Sequence, residues 1–219
     1  KTGVTLAFNN CIFDGNKSTK AGALYINNGT VVSLTNCLFK ENQAENQGGA
    51  IHIIASNVTM TGCTFYKNKT TSTTPNLNAG AMYVNGASSV VNVDYCTFFQ
   101  NTTGASNQDY GTIRTDNGNT TVTNSLFYDN KTLNDTGAPS DWGSGSDGTQ
   151  TFNTSIAQWI STNVDNQDEG TGSITGIKNG GGTPANLTSS NLFFDASDGF
   201  VKYTAAPSGD DSPIDFGSD

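Results

Sequence analysis

Residues 37–62 read CLFKENQAENQGGAIHIIASNVTMTG, and this stretch contains one complete copy of the repeat that decides the fold. The copy begins with Cys-x-Phe-x-x-Asn at Cys37, continues with Gly-Ala-aliphatic at Gly49, and ends with an alternating apolar run at Val58. Each element has the period-2 alternation of a short β-strand, and none is long enough for a helix of about ten residues. The repeat therefore predicts three short strands per unit, joined by turns.

The first element of the repeat occurs five times along the chain. Its copies begin at Cys11, Cys37, Cys63, Cys96 and Ser125, with spacings of 26, 26, 33 and 29 residues. We interpret 26 residues as the minimal coil and the longer spacings as inserted loops. One coil cannot bury its apolar face, whereas stacked coils pair every strand with its counterparts and form a continuous core. The sequence thus predicts an all-β parallel β-helix, a solenoid of about six to seven three-strand coils.

The repeat weakens towards the carboxyl end of the chain. A sixth coil can be traced through Trp142-Gly-Ser, Phe152 and Ile156-Ala, and beyond Ile160 the spacing is lost. We therefore expect residues 1–157 to form the β-helix coils. Residues 158–219 are expected to form degenerate terminal coils and a C-terminal cap region within the same domain.

Composition and charge narrow the range of partners. The formal net charge is −9 and Arg114 is the only arginine, so the basic surface typical of a nucleic-acid-binding protein is missing. No stretch approaches the roughly 20 apolar residues that span a bilayer. We expect no nucleic-acid partner and no membrane insertion in this segment, and we expect any export signal to have been removed before Lys1.

Cysteine recurs at one position of the repeat and allows two interpretations. Four cysteines fit two disulfides, but stacked strands hold side chains in parallel at about 4.8 Å, whereas a disulfide requires Cβ atoms about 3.5–4.5 Å apart and turned towards each other. We therefore favour an internal ladder of buried thiols, which behave as small apolar groups.

The asparagine that closes each Phe-x-x-Asn motif also allows two interpretations. Asn16-Lys-Ser, Asn68-Lys-Thr, Asn101-Thr-Thr and Asn130-Lys-Thr all fit the acceptor pattern for glycosylation. Alternatively, each amide bonds to turn backbone and to the same amide one coil away. We favour this asparagine ladder, because a buried amide cannot carry a glycan.

Phe-x-x-Asn paired with Gly-Gly-Ala-aliphatic, complete at Gly48 to Ile51, resembles the repeat of the chlamydial polymorphic outer membrane proteins. The ending, with Leu192-Phe-Phe-Asp and Ser212-Pro-Ile-Asp-Phe-Gly, is similar to the last coil of the bacterial choice-of-anchor β-helix proteins. Both resemblances imply the pectin lyase-like class of β-helix, and with it a secreted or cell-surface location in bacteria. Right-handed winding is implied by the resemblance and by the usual hand of parallel crossovers.

The Gly-Ala strand presents the most site-like feature of the sequence. Alternation points Leu24, Ile51, Met82 and Ile113 inward, so their neighbours Tyr25, His52, Tyr83 and Arg114 form an outward column. We call these four residues the outer column. The adjoining positions include Asn27, Asn85 and Asp116. Exposed aromatic rings beside amides and a cation suit sugar binding, although the same residues are also ordinary cross-strand pairs on a solvated face.

Three insertions precede the Gly-Ala strand and are expected to form a wall beside the outer column. They are Thr70 to Asn78, Thr102 to Asp109 and Lys131 to Asp141. Glycoside hydrolysis needs two carboxyl groups about 5–9.5 Å apart, and the candidate face has only Asp116. No catalytic residue is therefore assigned, and the chain is interpreted as leaning away from an enzyme.

Acidic residues near the carboxyl end raise the possibility of calcium. They are Asp195, Asp198, Asp210, Asp211, Asp215 and Asp219. Calcium prefers oxygen ligands, but the spacing does not match that of the EF-hand calcium loop. Aspartates at such positions also bond turn amides. We assign no metal ligand and no cofactor, with calcium left open.

The sequence leaves three functions open. The first is a non-catalytic extracellular or cell-surface β-helix, adhesin-like or glycan-binding, whose partner is a glycan or a surface protein. The second is a polysaccharide lyase or hydrolase of the pectin lyase-like type. The third is a structural stalk or matrix module that self-associates end to end.

Overall fold

A computed structural model describes residues 3–73, 78–104, 111–132, 142–144, 148–153, 156–157, 192–195 and 200–203. In chain order its strands are β1 (Thr5–Asn9), β2 (Ile12–Asp14), β3 (Lys17–Ser18), β4 (Leu24–Ile26), β5 (Val31–Thr35), β6 (Leu38–Lys40), β7 (Gln43–Ala44), β8 (Gln47–Gly48), β9 (Ile51–Ile54), β10 (Asn57–Thr61), β11 (Thr64–Tyr66), β12 (Lys69–Thr70), β13 (Asn78–Ala79), β14 (Met82–Asn85), β15 (Val90–Asp94), β16 (Thr97–Phe99), β17 (Thr102–Thr103), β18 (Ile113–Asp116), β19 (Asn119–Thr123), β20 (Leu126–Tyr128), β21 (Lys131–Thr132), β22 (Trp142–Ser144), β23 (Thr149–Asn153), β24 (Ile156–Ala157), β25 (Leu192–Asp195) and β26 (Phe200–Tyr203). The described residues contain no helix, as the sequence predicts.

The chain is a parallel β-helix, which confirms the predicted fold class. The alternating runs stack as β1-β5-β10-β15-β19-β23, the Cys-x-Phe strands as β2-β6-β11-β16-β20-β24, and the Gly-Ala strands as β4-β9-β14-β18-β22. The traced sixth coil is present, because β22, β23 and β24 pair in parallel with the fifth. The strands stack five or six deep in these sheets, so the complete coils are somewhat fewer than the predicted six to seven.

Two features of the coil differ from the prediction. A fourth ladder of two-residue strands, β3-β7-β12-β17-β21, follows the asparagine of each motif, and β8 pairs with β13 before the Gly-Ala strand. Near the carboxyl end, β25 and β26 pair antiparallel, unlike the strands of the coils. The rest of residues 158–219, where degenerate coils and a cap are predicted, lies outside the described residues.

Stacked phenylalanines form the centre of the core. The rings of Phe13, Phe39, Phe65, Phe98 and Phe127 follow one another with centroids 4.5, 4.8, 4.7 and 4.6 Å apart and nearly parallel planes. The aliphatic residues of the other two sheets and the cysteines pack around this stack. Fully burying one such side chain contributes about 2 kcal/mol, so repetition over the coils supplies most of the stabilisation.

The asparagine ladder is confirmed. Each side-chain amide nitrogen donates to the amide oxygen one coil on, at 2.9 Å from Asn16 to Asn42, 2.9 Å from Asn42 to Asn68, 3.0 Å from Asn68 to Asn101 and 3.0 Å from Asn101 to Asn130. The last four asparagines are fully buried, and only Asn16, in the first coil, is exposed.

The cysteines are four free thiols, so the ladder interpretation is confirmed over disulfides. The backbone amide of Cys63 donates to the sulfur of Cys96 at 3.4 Å, and the amide of Cys96 donates to the hydroxyl of Ser125 at 3.0 Å. The sulfur and the hydroxyl therefore both accept a hydrogen bond from the backbone of the preceding coil, which explains why serine replaces cysteine in the fifth copy.

The turns of the coil depend on backbone in the left-handed region. The residue before each Cys position has a positive φ, and these residues are Asn10, Asn36, Gly62, Tyr95 and Asn124. Tyrosine is an unusual residue type for this conformation. A second such column, at the residue before each ladder asparagine, consists of Gly15, Glu41, Lys67, Gln100 and Asp129, with φ between 53° and 64°. The glycine of the Gly-Ala motif is required for a different reason, because a Cβ at Gly49 would lie 1.9 Å from the carbonyl oxygen of Gly80.

Candidate functional site

The outer column exists in the register that the sequence predicts. Tyr25 pairs with His52, His52 with Tyr83, and Tyr83 with Arg114 across adjacent Gly-Ala strands. Asn85 likewise pairs with Asp116. These side chains lie outside the core cluster, so the inward and outward assignment holds.

The predicted exposure of the outer column is wrong for three of its four members. Tyr25 is 46% exposed, but His52 is 1%, Tyr83 0% and Arg114 7% exposed. Asp116 is also buried, and Asn27 and Asn85 are half-buried. Alternation fixes which way a side chain points from its sheet, whereas exposure depends on what else covers the face, and alternation carries no information about that. The predicted wall of insertions lies largely outside the described residues.

Buried charges in this region satisfy one another. The Tyr83 hydroxyl donates to Asp116 Oδ2 at 2.7 Å, and Arg114 Nε donates to Asp116 Oδ1 at 2.9 Å and to Oδ2 at 3.1 Å. Burial, followed by the negative charge of Asp116, raises the pKa of Tyr83. Such a network is costly to break because each remaining polar group would be desolvated without a partner. The arrangement holds Arg114 and Asp116 together as a structural unit.

His52 lies between two tyrosines in the same column. Its ring centroid is 5.0 Å from that of Tyr25, in an edge arrangement, and 5.0 Å from that of Tyr83. Among the described residues neither ring nitrogen has a hydrogen-bond partner. Burial, assisted by the positive charge of Lys20, lowers the pKa of His52 to about 4. His52 is therefore a neutral packing residue at ordinary pH.

An open groove of about 600 Å³ lies elsewhere, over the turn that contains the asparagine ladder. Two rows of side chains line it, one on each side of the buried amides. The row before the asparagines is Gly15, Glu41, Lys67, Gln100 and Asp129, and the row after them is Lys17, Gln43, Lys69, Thr102 and Lys131. We call this surface the ladder groove. Its second row is fixed in register by the two-residue strands β3, β7, β12, β17 and β21.

The ladder groove collects lysines. Four of the six lysine side chains that the structure describes line it, and the other two are Lys20 and Lys40. Lys131 lies 2.7 Å from Asp129 and Lys40 lies 3.0 Å from Asp14, so both are paired. A hydrogen bond with Tyr66 raises the pKa of Lys67, whose ammonium lies 4.9 Å from the centre of the Tyr66 ring. Lys17 and Lys69 form no ion pair with the described residues, whereas the carboxylate of Glu41 also contributes to the raised pKa of Lys67.

The charge of the chain is divided unevenly along its length. Residues 1–132 contain eight of the ten basic residues and seven of the nineteen acidic ones, a net charge of +1, whereas residues 133–219 carry −10. The acidic character of the whole chain therefore comes from its carboxyl-terminal part. Residues 1–132, which contain the ladder groove, are therefore close to neutral overall.

Sequence reasoning missed the ladder groove although the signal is present in the repeat. Lysine follows the ladder asparagine in three of five copies, at Lys17, Lys69 and Lys131. Those lysines form part of the Asn-Lys-Ser/Thr patterns that suggested glycosylation. At Asn68 and Asn130 the amide is buried, and the lysine beside it is the exposed group.

The described residues contain no group of three or more side chains suited to hold a metal ion. The carboxyl-terminal aspartates considered for calcium lie outside the residues whose side chains are described. No helix in the described part of the chain is long and apolar enough to cross a membrane.

No protein-family model matches the chain, and neither a curated protein nor a solved structure matches it. The resemblances of its repeat therefore stay predictions, and its function must be argued from its own surfaces.

Proposed function

We propose that this protein is a non-catalytic, extracellular or cell-surface β-helix that binds glycan, in the manner of an adhesin, through the ladder groove. The observation that carries the proposal is the lining of the groove: exposed lysines, the amides of Gln43 and Gln100 and the hydroxyl of Thr102, with Tyr66 beside them. Amides, hydroxyls and ammonium groups hydrogen-bond sugar hydroxyls and carboxylates, and an aromatic ring stacks on the apolar face of a sugar.

The rigidity of the groove floor supports binding. The two rows flank asparagine side chains that are hydrogen-bonded from coil to coil. The backbone of the first row is also hydrogen-bonded between coils, from Glu41 N to Tyr66 O at 2.9 Å and from Lys67 N to Phe99 O at 3.0 Å. A preorganised surface loses little conformational entropy when a ligand docks. The outer column, by contrast, offers a ligand only Tyr25 among its four side chains.

The carboxyl groups of the ladder groove argue against catalysis there. Glu41 and Asp129 belong to the second and fifth coils, three strand spacings or about 14 Å apart. This distance exceeds the range of about 5–9.5 Å over which two carboxyl groups cooperate in glycoside hydrolysis. Asp129 is moreover paired with Lys131. A glycoside hydrolase mechanism therefore finds no suitable carboxyl pair in the described part of the groove.

A glycan array tests the proposal. The wild type is compared with the Lys67→Ala/Lys69→Ala variant, and Lys20→Ala serves as the matched control because Lys20 is exposed and does not line the groove. We expect binding that is lost in the double variant and retained in the control. Tyr25→Ala tests the alternative face. The proposal fails if no glycan binds, or if binding depends on Tyr25 and not on the lysines.

A further inference from the structure

We propose that Asn85 and Gly86 form a site of spontaneous covalent modification, at which the backbone nitrogen of Gly86 attacks the Asn85 side chain and converts it, through a succinimide, to aspartate or isoaspartate. Neither residue lines the ladder groove, so the site is independent of the proposed glycan binding. Three observations support it: the position of the Asn85 carboxamide, the hydrogen bonds to the peptide oxygen between the two residues, and the different geometry of another Asn-Gly pair.

The Asn85 side chain is folded over its own carboxyl-terminal peptide bond. The backbone nitrogen of Gly86 donates to Asn85 Oδ1 at 2.6 Å, and Cγ, bonded to Oδ1 at about 1.2 Å, therefore lies within about 3.8 Å of that nitrogen. Rotation about the Cβ–Cγ bond, which is soft in asparagine, presents Cγ to the nitrogen. A bond between these two atoms closes a five-membered ring. Reacting atoms that are held this close need little chain movement to react.

The peptide oxygen beside the attacking nitrogen is held by two donors. Asn85 O accepts from the Ser89 hydroxyl at 2.5 Å and from the backbone nitrogen of Ala55 at 3.1 Å. The Gly86 nitrogen attacks after it has lost its proton, and the resulting negative charge is shared with this oxygen. Donors that are fixed in advance at an oxygen stabilise the negative charge that develops there. The fold therefore makes the Gly86 N–H a better acid than an ordinary peptide N–H.

The reaction needs only water and hydroxide. Hydroxide removes the proton from the Gly86 nitrogen, the nitrogen forms a bond to Asn85 Cγ, and the Cγ–Nδ2 bond breaks as ammonia leaves with a proton taken from water. No atom is oxidised or reduced. Water then opens the ring at Cγ, which gives aspartate, or at the main-chain carbonyl carbon, which gives isoaspartate. Asn85 and Gly86 are half-buried and the next two residues, Ala87 and Ser88, are exposed, so water reaches the site.

Asn28 and Gly29 form an Asn-Gly pair with a different geometry. This pair follows the Gly-Ala strand of the first coil and is more exposed than Asn85 and Gly86. The backbone nitrogen of Gly29, however, donates to Ala55 O in the next coil at 2.8 Å, so it is directed away from the Asn28 side chain. Exposure alone therefore predicts faster modification at Asn28, whereas the geometry predicts faster modification at Asn85.

The modification changes the charge of the outer face. Asn85 lies opposite Asp116 on the adjacent strand, and Asp116 is buried with its oxygens bonded by Tyr83 and Arg114. A carboxylate at position 85 places like charges opposite each other on neighbouring strands, which is destabilising. Isoaspartate also lengthens the backbone by one atom at the end of β14. The modification therefore loosens the third and fourth coils as the protein ages.

Peptide mapping by mass spectrometry measures the modification of both pairs in one sample. The intact chain is incubated in mildly alkaline buffer, with and without enough urea to unfold it. In the folded chain we expect modification at Asn85 to be at least about tenfold faster than at Asn28, and to accelerate with pH because hydroxide removes the Gly86 proton. In urea the two rates should be similar, because both pairs have lost their geometry.

Two results of this comparison would overturn the proposal. One is a rate at Asn28 that equals or exceeds the rate at Asn85 in the folded chain. The other is a rate at Asn85 that is no faster in the folded chain than in urea. Neither result depends on a variant, so the test holds whether or not the variants fold.

Variants test the donor and the consequence. Ser89→Ala is expected to slow modification at Asn85 about tenfold or more, whereas the exposed Ser88→Ala is the control and should leave the rate unchanged. Circular dichroism checks that both are folded. If folded Ser89→Ala is modified as fast as the wild type, the proposed activation of Gly86 is wrong. Asn85→Asp carries the charge of the product and should unfold at a lower urea concentration than the wild type, and an unchanged midpoint would contradict the predicted loosening.

Discussion

The outer column and the ladder groove are both rows of outward side chains that run along the same solenoid, and they differ in almost every other respect. The outer column consists of two tyrosines, a histidine and an arginine, yet three of its four side chains are buried. The ladder groove consists of common lysines and amides and is open. The three lysines of its second row are exposed, as is Tyr25 of the outer column, whereas His52 and Tyr83 are packed between their neighbours.

The difference teaches that pointing outward and being accessible are separate properties. In the outer column the polar groups bond one another, as Tyr83 and Arg114 do with Asp116. In the ladder groove the buried asparagines bond one another beneath the surface, and Lys131 pairs with Asp129, whereas Lys17 and Lys69 form no ion pair with the described residues. Four substitutions or conditions measure this contrast, and we give them from the largest expected effect to the smallest.

The floor of the ladder groove should be the most sensitive point. Asn68→Ala removes two donors, to Phe39 O at 2.8 Å and to Asn101 Oδ1 at 3.0 Å, and an acceptor for the backbone and side chain of Asn42. Each buried group left without a partner costs about 1–3 kcal/mol, so we expect the free energy of unfolding to fall by about 4 kcal/mol. Urea denaturation measures it, with the exposed Asn92→Ala as the control. A loss below about 1 kcal/mol would contradict the ladder as the support of the groove.

The outer column should respond to pH. In the folded chain the pKa of His52 is about 4, and in the unfolded chain it is about 6.5. Between these values the unfolded state binds the proton and the folded state does not, so the contribution of His52 is complete above about pH 6.5 and is lost as the pH falls towards 4. The loss is at most about 3 kcal/mol.

His52 is the only histidine of the chain, so no other histidine contributes to the pH dependence of unfolding. Urea unfolding is measured between pH 4 and 7 for the wild type and for His52→Phe, which keeps an aromatic ring between the two tyrosines. The difference in slope between the two proteins isolates His52. Equal slopes would mean that the ring is solvated.

Within the outer column, its buried and exposed tyrosines should behave differently. Tyr83→Phe removes the hydroxyl that donates to Asp116 at 2.7 Å in a buried site, which we expect to cost about 1–2 kcal/mol of unfolding free energy. Tyr25→Phe removes an exposed hydroxyl and should change it by less than about 0.5 kcal/mol. Thermal unfolding of the two variants side by side makes the comparison. Equal effects would show that burial does not distinguish them.

The lysines of the ladder groove should matter least for stability. Lys69 is exposed, so Lys69→Ala is expected to change the free energy of unfolding by less than about 0.5 kcal/mol. Urea denaturation at pH 7 measures it. A destabilisation of more than about 1 kcal/mol would mean that Lys69 serves the fold, which would weaken its assignment to binding.

The fold was predictable because its determinants repeat in the sequence. Phe39, Asn42 and Cys37 specify inward ladders because their residue types recur at the same positions of successive copies, and the structure contains all three ladders. The left-handed bend at Tyr95 occupies the same position as the bends at Asn36 and Gly62, although its residue type gives no sign of it. The two-residue strands such as β7 and β12 were not predictable from the sequence, because two residues are too few to show a period.

The candidate site was predictable in register and not in exposure. Tyr83 and Arg114 align as the alternation requires, but whether they meet solvent depends on what lies over the sheet, and no local pattern encodes that. Lys67 and Lys69 were missed for a different reason. Their significance depends on lying at the same turn as Lys17 and Lys131, each two copies away, and Lys69 is also part of a pattern that fits glycosylation.

The ladder asparagines also bear on how such a chain changes in evolution. Because each coil joins its neighbours through the same amide, phenyl and backbone contacts, a duplicated or deleted unit of 26 residues leaves every remaining junction of the same kind. Coil number is therefore a variable that selection can adjust without redesigning the protein. Each coil adds one member to both rows of the ladder groove, so the length of ligand recognised would grow by one strand spacing with each added coil. Proteins built on this plan would therefore differ in the length of ligand they bind before they differ in the residues that bind it.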